Sequence, residues 1–537
     1  MAIAKARRSW CHPALHQGGM TMKRSHGLAL FSSTLALFAA TAVSAFAAQP
    51  GEPPDEITKI ETVVVIFAEN RAFDNLYGHF PGAEGIDKAS QESLQQRDRD
   101  GSVLSELPPV WEGLTAKGVT PPVTQAMTEH LPNAPFTVND AKGFNVPLSV
   151  TTHDLWHRYY QNQMQINGGK NDMFVAWADS GAMPMSNWDA SKTDMWAVAQ
   201  KYVLADHFFM GGFGGSFFNH QWLICACAPY YADADKSPAK PSISVTDESG
   251  TALKIADNSP KSARDGIPKF VSDGNLTPDF HAVNTMQPPY QPSGNDPAPG
   301  GNPLLADPAK PTTLPPQTEP TIGDMLSLKH ITWAWYSGAW QYTLDHGNNS
   351  PVPNFQYHHQ PFNYYANYAP GTDARRQHLR DGGLGGVSFI QAIDDGVLPQ
   401  VSFYKPQGNL NEHSGYADIE AGDRHIADVV AHLEKSPQWP HMLVVVTYDE
   451  NGGIWDHVPP PKGDRWGPGT RVPAIIVSPF AKHGYVDQTP YDTTSILRFI
   501  TERFELPVLH GIVVRDRALA AHGEPPLGDL TAGLDLK

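Results

Sequence analysis

Cysteine is nearly absent. The 537 residues contain three: Cys11, Cys225 and Cys227. A disulfide framework and a thiolate metal cage are both excluded as the basis of the fold. Cys225 and Cys227 are two residues apart and would close a very small loop, so they are expected to pack as small apolar groups and not to bridge. Basic residues are also scarce, 39 against 56 acids, for a net charge of −17. Five of those cations, Lys5, Arg7, Arg8, Lys23 and Arg24, lie in an acid-free stretch of 47 residues, which leaves −22 on the other 490. Such a chain is a poor general binder of nucleic acid or anionic lipid, and any attraction for an anionic substrate has to be local. No uncharged run is long enough for a polytopic membrane protein, and nothing repeats at a fixed period. A Walker-type phosphate loop, the dinucleotide GxGxxG and the Gly-x-Ser-x-Gly elbow are missing as well. What is present is an ordinary globular composition, 40% hydrophobic and 18% charged, with enough chain for a large core.

The N-terminus reads as an address. Lys23 and Arg24 precede an apolar stretch from Leu28 to Val43, followed by Ala45-Phe46-Ala47, the small-x-small pattern of signal-peptidase cleavage. Residues 1–47 are therefore expected to be a leader of bacterial type, with Met22 as a sufficient start, and an uncleaved anchor as the alternative. Residues 48–537 are expected to form one exported catalytic domain, periplasmic or secreted, with no stable membrane insertion.

Glu61–Phe67 is nearly all β-branched and too apolar for an exposed strand, and Met442–Thr447 and Val472–Val477 read the same way, as central strands of a parallel sheet. Shorter candidates are Tyr202–Ala205, His330–Tyr336 and Gln400–Tyr404. Helical spacing appears over Asp423–Leu433 and Thr494–Phe504. Alternating strands and helices predict an α/β fold, an α/β/α sandwich around a mostly parallel sheet. Between Pro288 and Pro320 eleven residues are proline, which excludes helix and central strand there. Residues 229–320 are expected to leave the core as a lid or rim.

The acids sit at informative places. Glu69 and Asn70 follow one apolar strand directly, and Asp449 and Glu450 follow another. Ligands of open α/β sheets gather at the carboxyl ends of strands. Three carboxylates and an amide brought together there repel unless a cation neutralises them. The alternative is that Glu69 and Asp449 merely cap helices. A second signal is Phe213-Gly214-Gly215-Ser216, where two glycines let backbone approach a ligand and expose the hydroxyl. Ser216 reads either as a nucleophile or as a helix N-cap. Histidines form a third signal, with His153, His358, His359, His413 and His457 in polar turns, where imidazoles serve as phosphate donors, general acids or metal ligands.

The segment Val65-Ile66-Phe67-Ala68-Glu69-Asn70-Arg71-Ala72-Phe73-Asp74 resembles the opening motif of the bacterial acid phosphatase and phospholipase C family, within the alkaline phosphatase superfamily. The resemblance continues through Gln165–Lys170, Gly214-Gly215-Ser216, Glu412-His413-Ser414 and Tyr448–His457, in order and over nearly the whole chain after the leader. It implies that Glu69, Asn70, Asp449 and Glu450 bind one divalent metal ion and that Ser216 is the nucleophile of the acid phosphatase branch, where the phospholipase branch has threonine. It further implies that His153, His359 and His413 bind phosphoryl oxygens or the leaving group. His358, Asn219 and His457 are expected as substrate-binding residues. The expected activity is hydrolysis of small phosphate monoesters through a phosphoserine, helped by protonated histidines in mild acid. Rivals are a phospholipase C acting on phosphatidylcholine, against which Ser216 and a chain ending at Lys537 weigh, and a metal-stabilised periplasmic binding protein without activity. A sulfatase lacks support, because no C-x-P-x-R segment occurs.

Overall fold

The computed structural model describes residues 56–347 and 352–537. The leader and its cleavage site lie outside those residues. Eight strands form the main sheet: β1 (Thr62–Ala68), β2 (Val203–Ala205), β3 (Trp333–Gly338), β4 (Leu379–Gly383), β5 (Val401–Lys405), β6 (Met442–Tyr448), β7 (Ala474–Val477) and β8 (Tyr485–Asp487). Their order across the sheet is β8-β2-β7-β6-β1-β5-β3-β4. All run the same way except β7, which is antiparallel to both neighbours. Helices pack around the sheet, so the fold is α/β with a mostly parallel sheet.

Strands β1 and β6 are buried at every position, as their unbroken β-branched runs require of strands covered on both faces. The helix Ile419–Leu433 starts at Asp418, whose side chain accepts from Ala421 N, and buries Ile426, Val429, Val430 and Leu433 on one face. The helix Thr493–Arg503 is capped by Asp492 in the same way.

Three expectations need correction. Val472–Val477 is central, but antiparallel. The connection from β6 to β7 contains no helix, and without a crossover the chain can only return alongside its neighbour. Strands β4 and β8 were not expected. They lie at the sheet edges, carry exposed residues, and so lack the apolar runs that mark a buried strand. Finally, Cys225 and Cys227 are joined in a disulfide, with Cα atoms 5.1 Å apart. The helix Ser216–Cys225 ends there, and Ala226 at φ 48° turns the chain sharply enough to bring the two thiols together.

Residues 229–320 contain no α-helix and no strand of the main sheet. They return to the core at defined points. Asn284 Oδ1 accepts from Tyr159 N at 3.1 Å, and Arg158 Nη2 donates to the carbonyls of Asp273 and Gly274 at 3.0 and 3.1 Å. Among the described residues no helix is long and apolar enough to cross a membrane.

Candidate active site

Strands β1 and β6 are adjacent and in register, with Ala68 opposite Tyr448. The residues that follow them therefore emerge side by side at the carboxyl edge of the sheet. Asp449 N donates to Ala68 O at 3.1 Å, and Asn70 N donates to Asp449 Oδ1 at 3.1 Å. Asn70 takes a left-handed φ of 60°, which asparagine tolerates better than most residues. Glu69, Asn70, Asp449 and Glu450 are all fully buried.

Ser216 meets this cluster from the opposite side. The helix begins at Ser216, and Gly215 is its N-cap, so the capping role falls to the glycine. The hydroxyl donates toward Glu69 Oε2 at 2.9 Å, Asn70 Oδ1 at 3.2 Å and Glu450 Oε1 at 3.3 Å. The two glycines are required by chain crossing more than by ligand approach. A Cβ on Gly214, at φ 93°, would lie 2.5 Å from Tyr159 N, and one on Gly215 would lie 2.6 Å from His157 O.

One hydroxyl proton cannot satisfy three acceptors. Asp449 Oδ2, also buried, has no hydrogen-bond partner among the described residues. Burial, reinforced by Glu69, pushes the Asp449 carboxyl well above the usual range, and burial with Asp449 does the same to Glu450. Glu69 is held low in spite of its own burial, by Lys405 and His359. Two of the three acids thus resist ionisation in the absence of more positive charge. This orphaned, oxygen-rich set fits a hard divalent cation such as calcium, magnesium or manganese.

The expected histidines separate into distinct places. His358 lines a cavity of about 230 Å³ that also borders Ser216, His157 and His413. His359 turns the other way. Its Nε2 lies 2.8 Å from Glu69 Oε1, and its ring stacks on His220 at 5.2 Å. Burial pushes His359 down to about 4. His413 Nε2 pairs with Asn70 Nδ2 at 3.0 Å and its Nδ1 with Ser414 O. The amide nitrogen can only donate, so the His413 proton sits on Nδ1 and both ring nitrogens are engaged.

His153, Asn219 and His457 do not join them. His153 is held through its backbone N–H to Leu114 O at 2.9 Å and is absent from the cavity wall, where His157 stands in its place. Asn219 is fully buried and ties the glycine turn together. Its Oδ1 accepts from Gly212 N at 2.9 Å, and its Nδ2 donates to Gly212 O and Gly214 O at 3.0 and 3.1 Å. His457 Nδ1 lies 2.6 Å from Asp74 Oδ2, within a buried network in which Arg471 binds Asp74 and Asp456.

Residues 60–507 match the Phosphoesterase family. The chain belongs to this family. As such it is a hydrolase acting on phosphoric ester bonds. Among curated relatives, the phosphoesterase is 31% identical to a non-hemolytic phospholipase C of Burkholderia pseudomallei over 206 residues, 32% of this chain and 28% of the other. It is 22% identical to phospholipase C B of Mycobacterium tuberculosis over 96% of this chain and 85% of the other. A solved protein of the alkaline phosphatase superfamily from Vibrio parahaemolyticus aligns over 67% of both chains at 9% identity, with a TM-score of 0.30.

Three residues of this phosphoesterase site were not anticipated: His157, Lys405 and the buried His220, whose Nδ1 lies 3.7 Å from Asp449 Oδ2 and Nε2 4.0 Å from Glu69 Oε1. His157 Nδ1 pairs with Leu155 O at 2.6 Å, and Nε2 lies 3.8 Å from Glu450 Oε1. It sits four residues after His153 in the same polar turn, where matching by motif took the first histidine. Lys405 is fully buried, ion-paired to Glu69, and donates to Phe67 O at 2.9 Å. It ends the strand β5, so the rule that pointed to Glu69 and Asp449 also covers it.

Proposed function

We propose that this phosphoesterase is an exported bacterial enzyme that hydrolyses small phosphate monoesters through a covalent phosphoserine at Ser216. The observation that carries the reading is the convergence of Glu69, Asn70 and Glu450 on Ser216 Oγ, on the wall of a cavity of about 230 Å³. Glu69, Asn70, Asp449 and Glu450 would hold one divalent cation, which would supply a Lewis acid to lower the proton affinity of the serine hydroxyl and to neutralise a phosphate oxygen.

The chain's own groups account for the rest. Ser216 Oγ attacks phosphorus in line, and the Oγ–P bond forms as the bond to the leaving alcohol breaks. His157 is assigned the proton transfer: its Nδ1 donates to Leu155 O, so its Nε2, which faces the cluster, has the lone pair that takes the Ser216 proton and then passes it to the leaving alcohol. Water then attacks the phosphoserine, one of its protons passes to Ser216 Oγ as the Oγ–P bond breaks, and phosphate is released. His358 offers an N–H toward phosphate oxygens from the cavity wall. His359, with its Nε2 on Glu69, and His413, with both nitrogens engaged by Asn70 and Ser414, position the ligands. Burial, with His359 beside it, pushes His358 well below its ordinary range, so its donor is a neutral imidazole. The acid preference expected from charged histidines finds no support in this arrangement.

The second reading, a phospholipase C, draws on the curated relatives and on the cavity itself. Asp154, Trp156 and Tyr416 border it, and an acid beside aromatic rings suits a quaternary ammonium group. A panel of nitrophenyl phosphate, its phosphorylcholine ester and short-chain phosphatidylcholine decides between them by kcat/KM. A preference for either choline ester transfers the protein to the second reading. Rapid quenching with labelled monoester is expected to leave phosphate on Ser216, and Ser216→Ala to lose far more than the roughly 10²–10³-fold of one missing oxyanion donor. Label on another residue overturns the serine intermediate.

A further inference from the structure

We infer that Lys405 is a built-in cation of the metal centre, which limits the site to a single divalent ion and leaves Glu69 one oxygen to offer it. The inference rests on the metal-site reading above and deepens it. Glu69, Asp449 and Glu450 bring three carboxylates into one buried cluster, and among the described residues Lys405 is the one lysine or arginine ion-paired to any of them. The other partners are the imidazoles His157, His220 and His359. One ammonium against three carboxylates leaves a deficit of two charges, the charge of one divalent ion.

The geometry divides Glu69 in the same sense. Its Oε1 faces Lys405 Nζ and His359 Nε2, and its Oε2 faces Ser216 Oγ at 2.9 Å. Lys405 cannot swing away. Its Nζ also donates to Phe67 O at 2.9 Å and Ala68 O at 3.3 Å, the last carbonyls of β1, and the side chain is fully buried. The ammonium is thus built into the floor of the sheet, on the far side of Glu69 from the nucleophile. An ammonium there is held in place by two carbonyls, and its repulsion opposes a second ion bound through Glu69 Oε1.

Lys405→Met removes the charge at similar length. Titration calorimetry with manganese, magnesium and calcium is expected to show tighter binding by roughly tenfold or more, or a second equivalent bound. In metal-free protein, the thermal unfolding midpoint of Lys405→Met is expected to fall by several degrees, because Glu69 is left buried without its ammonium partner. The double variant Lys405→Met with Glu69→Gln restores the original deficit and is expected to recover much of that loss. This cycle needs no metal, so it fails or succeeds separately from the metal-site reading, which fails if the unaltered protein binds no divalent ion. Binding that stays unchanged or weakens in Lys405→Met, or a double variant no more stable than the single one, overturns the role of Lys405 and reduces it to packing. A Lys405→Met protein that folds only when the cation or Glu69→Gln is supplied supports it, and one that folds under neither condition overturns it.

Discussion

His413 orients Asn70. Asn70 Nδ2 donates to the imidazole Nε2 at 3.0 Å, and this turns Asn70 Oδ1 toward Ser216 Oγ at 3.2 Å. Without that partner the amide could rotate and present a donor to the nucleophile and to the cation. His413→Ala is therefore expected to reduce metal affinity or kcat by about 10–100-fold, the usual cost of losing a group that orients a ligand. His413→Gln, which keeps an acceptor, should recover part of it. Metal content and kcat measured on the same preparations check this, and unaltered values in His413→Ala would refute the orienting role.

The two nearby histidines separate position from resemblance. His157 borders the cavity with Ser216 and His153 does not. His157→Ala is expected to lower kcat by about 10²–10⁴-fold, as for a lost proton-transfer group, while His153→Ala stays close to the unaltered enzyme. The reverse order of effects would restore His153 to the site.

Asn219 is expected to act on structure. Its amide satisfies one backbone N–H and several carbonyls of the Gly212–Gly215 turn. Asn219→Ala leaves those groups buried and unpaired, a cost of about 1–3 kcal/mol. Denaturant unfolding should show that loss, and kcat should fall with KM little changed, because Ser216 is displaced while the phosphate contacts remain. A large rise in KM at full stability would favour direct substrate contact.

Stability should carry a pH signature from Glu412. Burial, with nearby Asp423, raises its carboxyl from the ordinary 4.5 to about 8. The sign follows from linkage. Between those values the unfolded chain has lost the proton and the folded chain still holds it, so the stabilising proton is fully effective below 4.5 and is lost as pH rises toward 8. Over that window the contribution falls by as much as about 1.4 kcal/mol per pH unit. Glu412→Gln removes this term and can still accept from Tyr448 Oη, the partner at 2.9 Å. The difference in unfolding free energy, variant minus original, is expected to grow from pH 5 to pH 8. A difference that is flat or shrinks contradicts the raised carboxyl.

The amino-acid sequence by itself marked the central strands β1 and β6 and the buried acids that follow them. Unbroken β-branched runs such as Thr62–Ala68 and Met442–Tyr448 have no solvent-facing side, so they had to be central strands, and the acids that follow them had to share one edge. What it could not contain was direction and distance. Whether β7 runs with or against β6 depends on the connection between them, and both orders have the same apolar pattern. Which member of His358-His359 faces the cavity, and whether His153 or His157 does, is a matter of side-chain direction in irregular turns, where no period of 2 or 3.6 applies. Asn219 lies in the run with Ser216 and could have served substrate or backbone equally. The tertiary structure decided for the backbone, because the Gly212–Gly215 turn folds back over its side chain and consumes every polar atom it has. The pairing of Lys405 with Glu69 is of the same kind. They are 336 residues apart in the chain, and only the adjacency of β1 and β5 places an ammonium against that carboxylate.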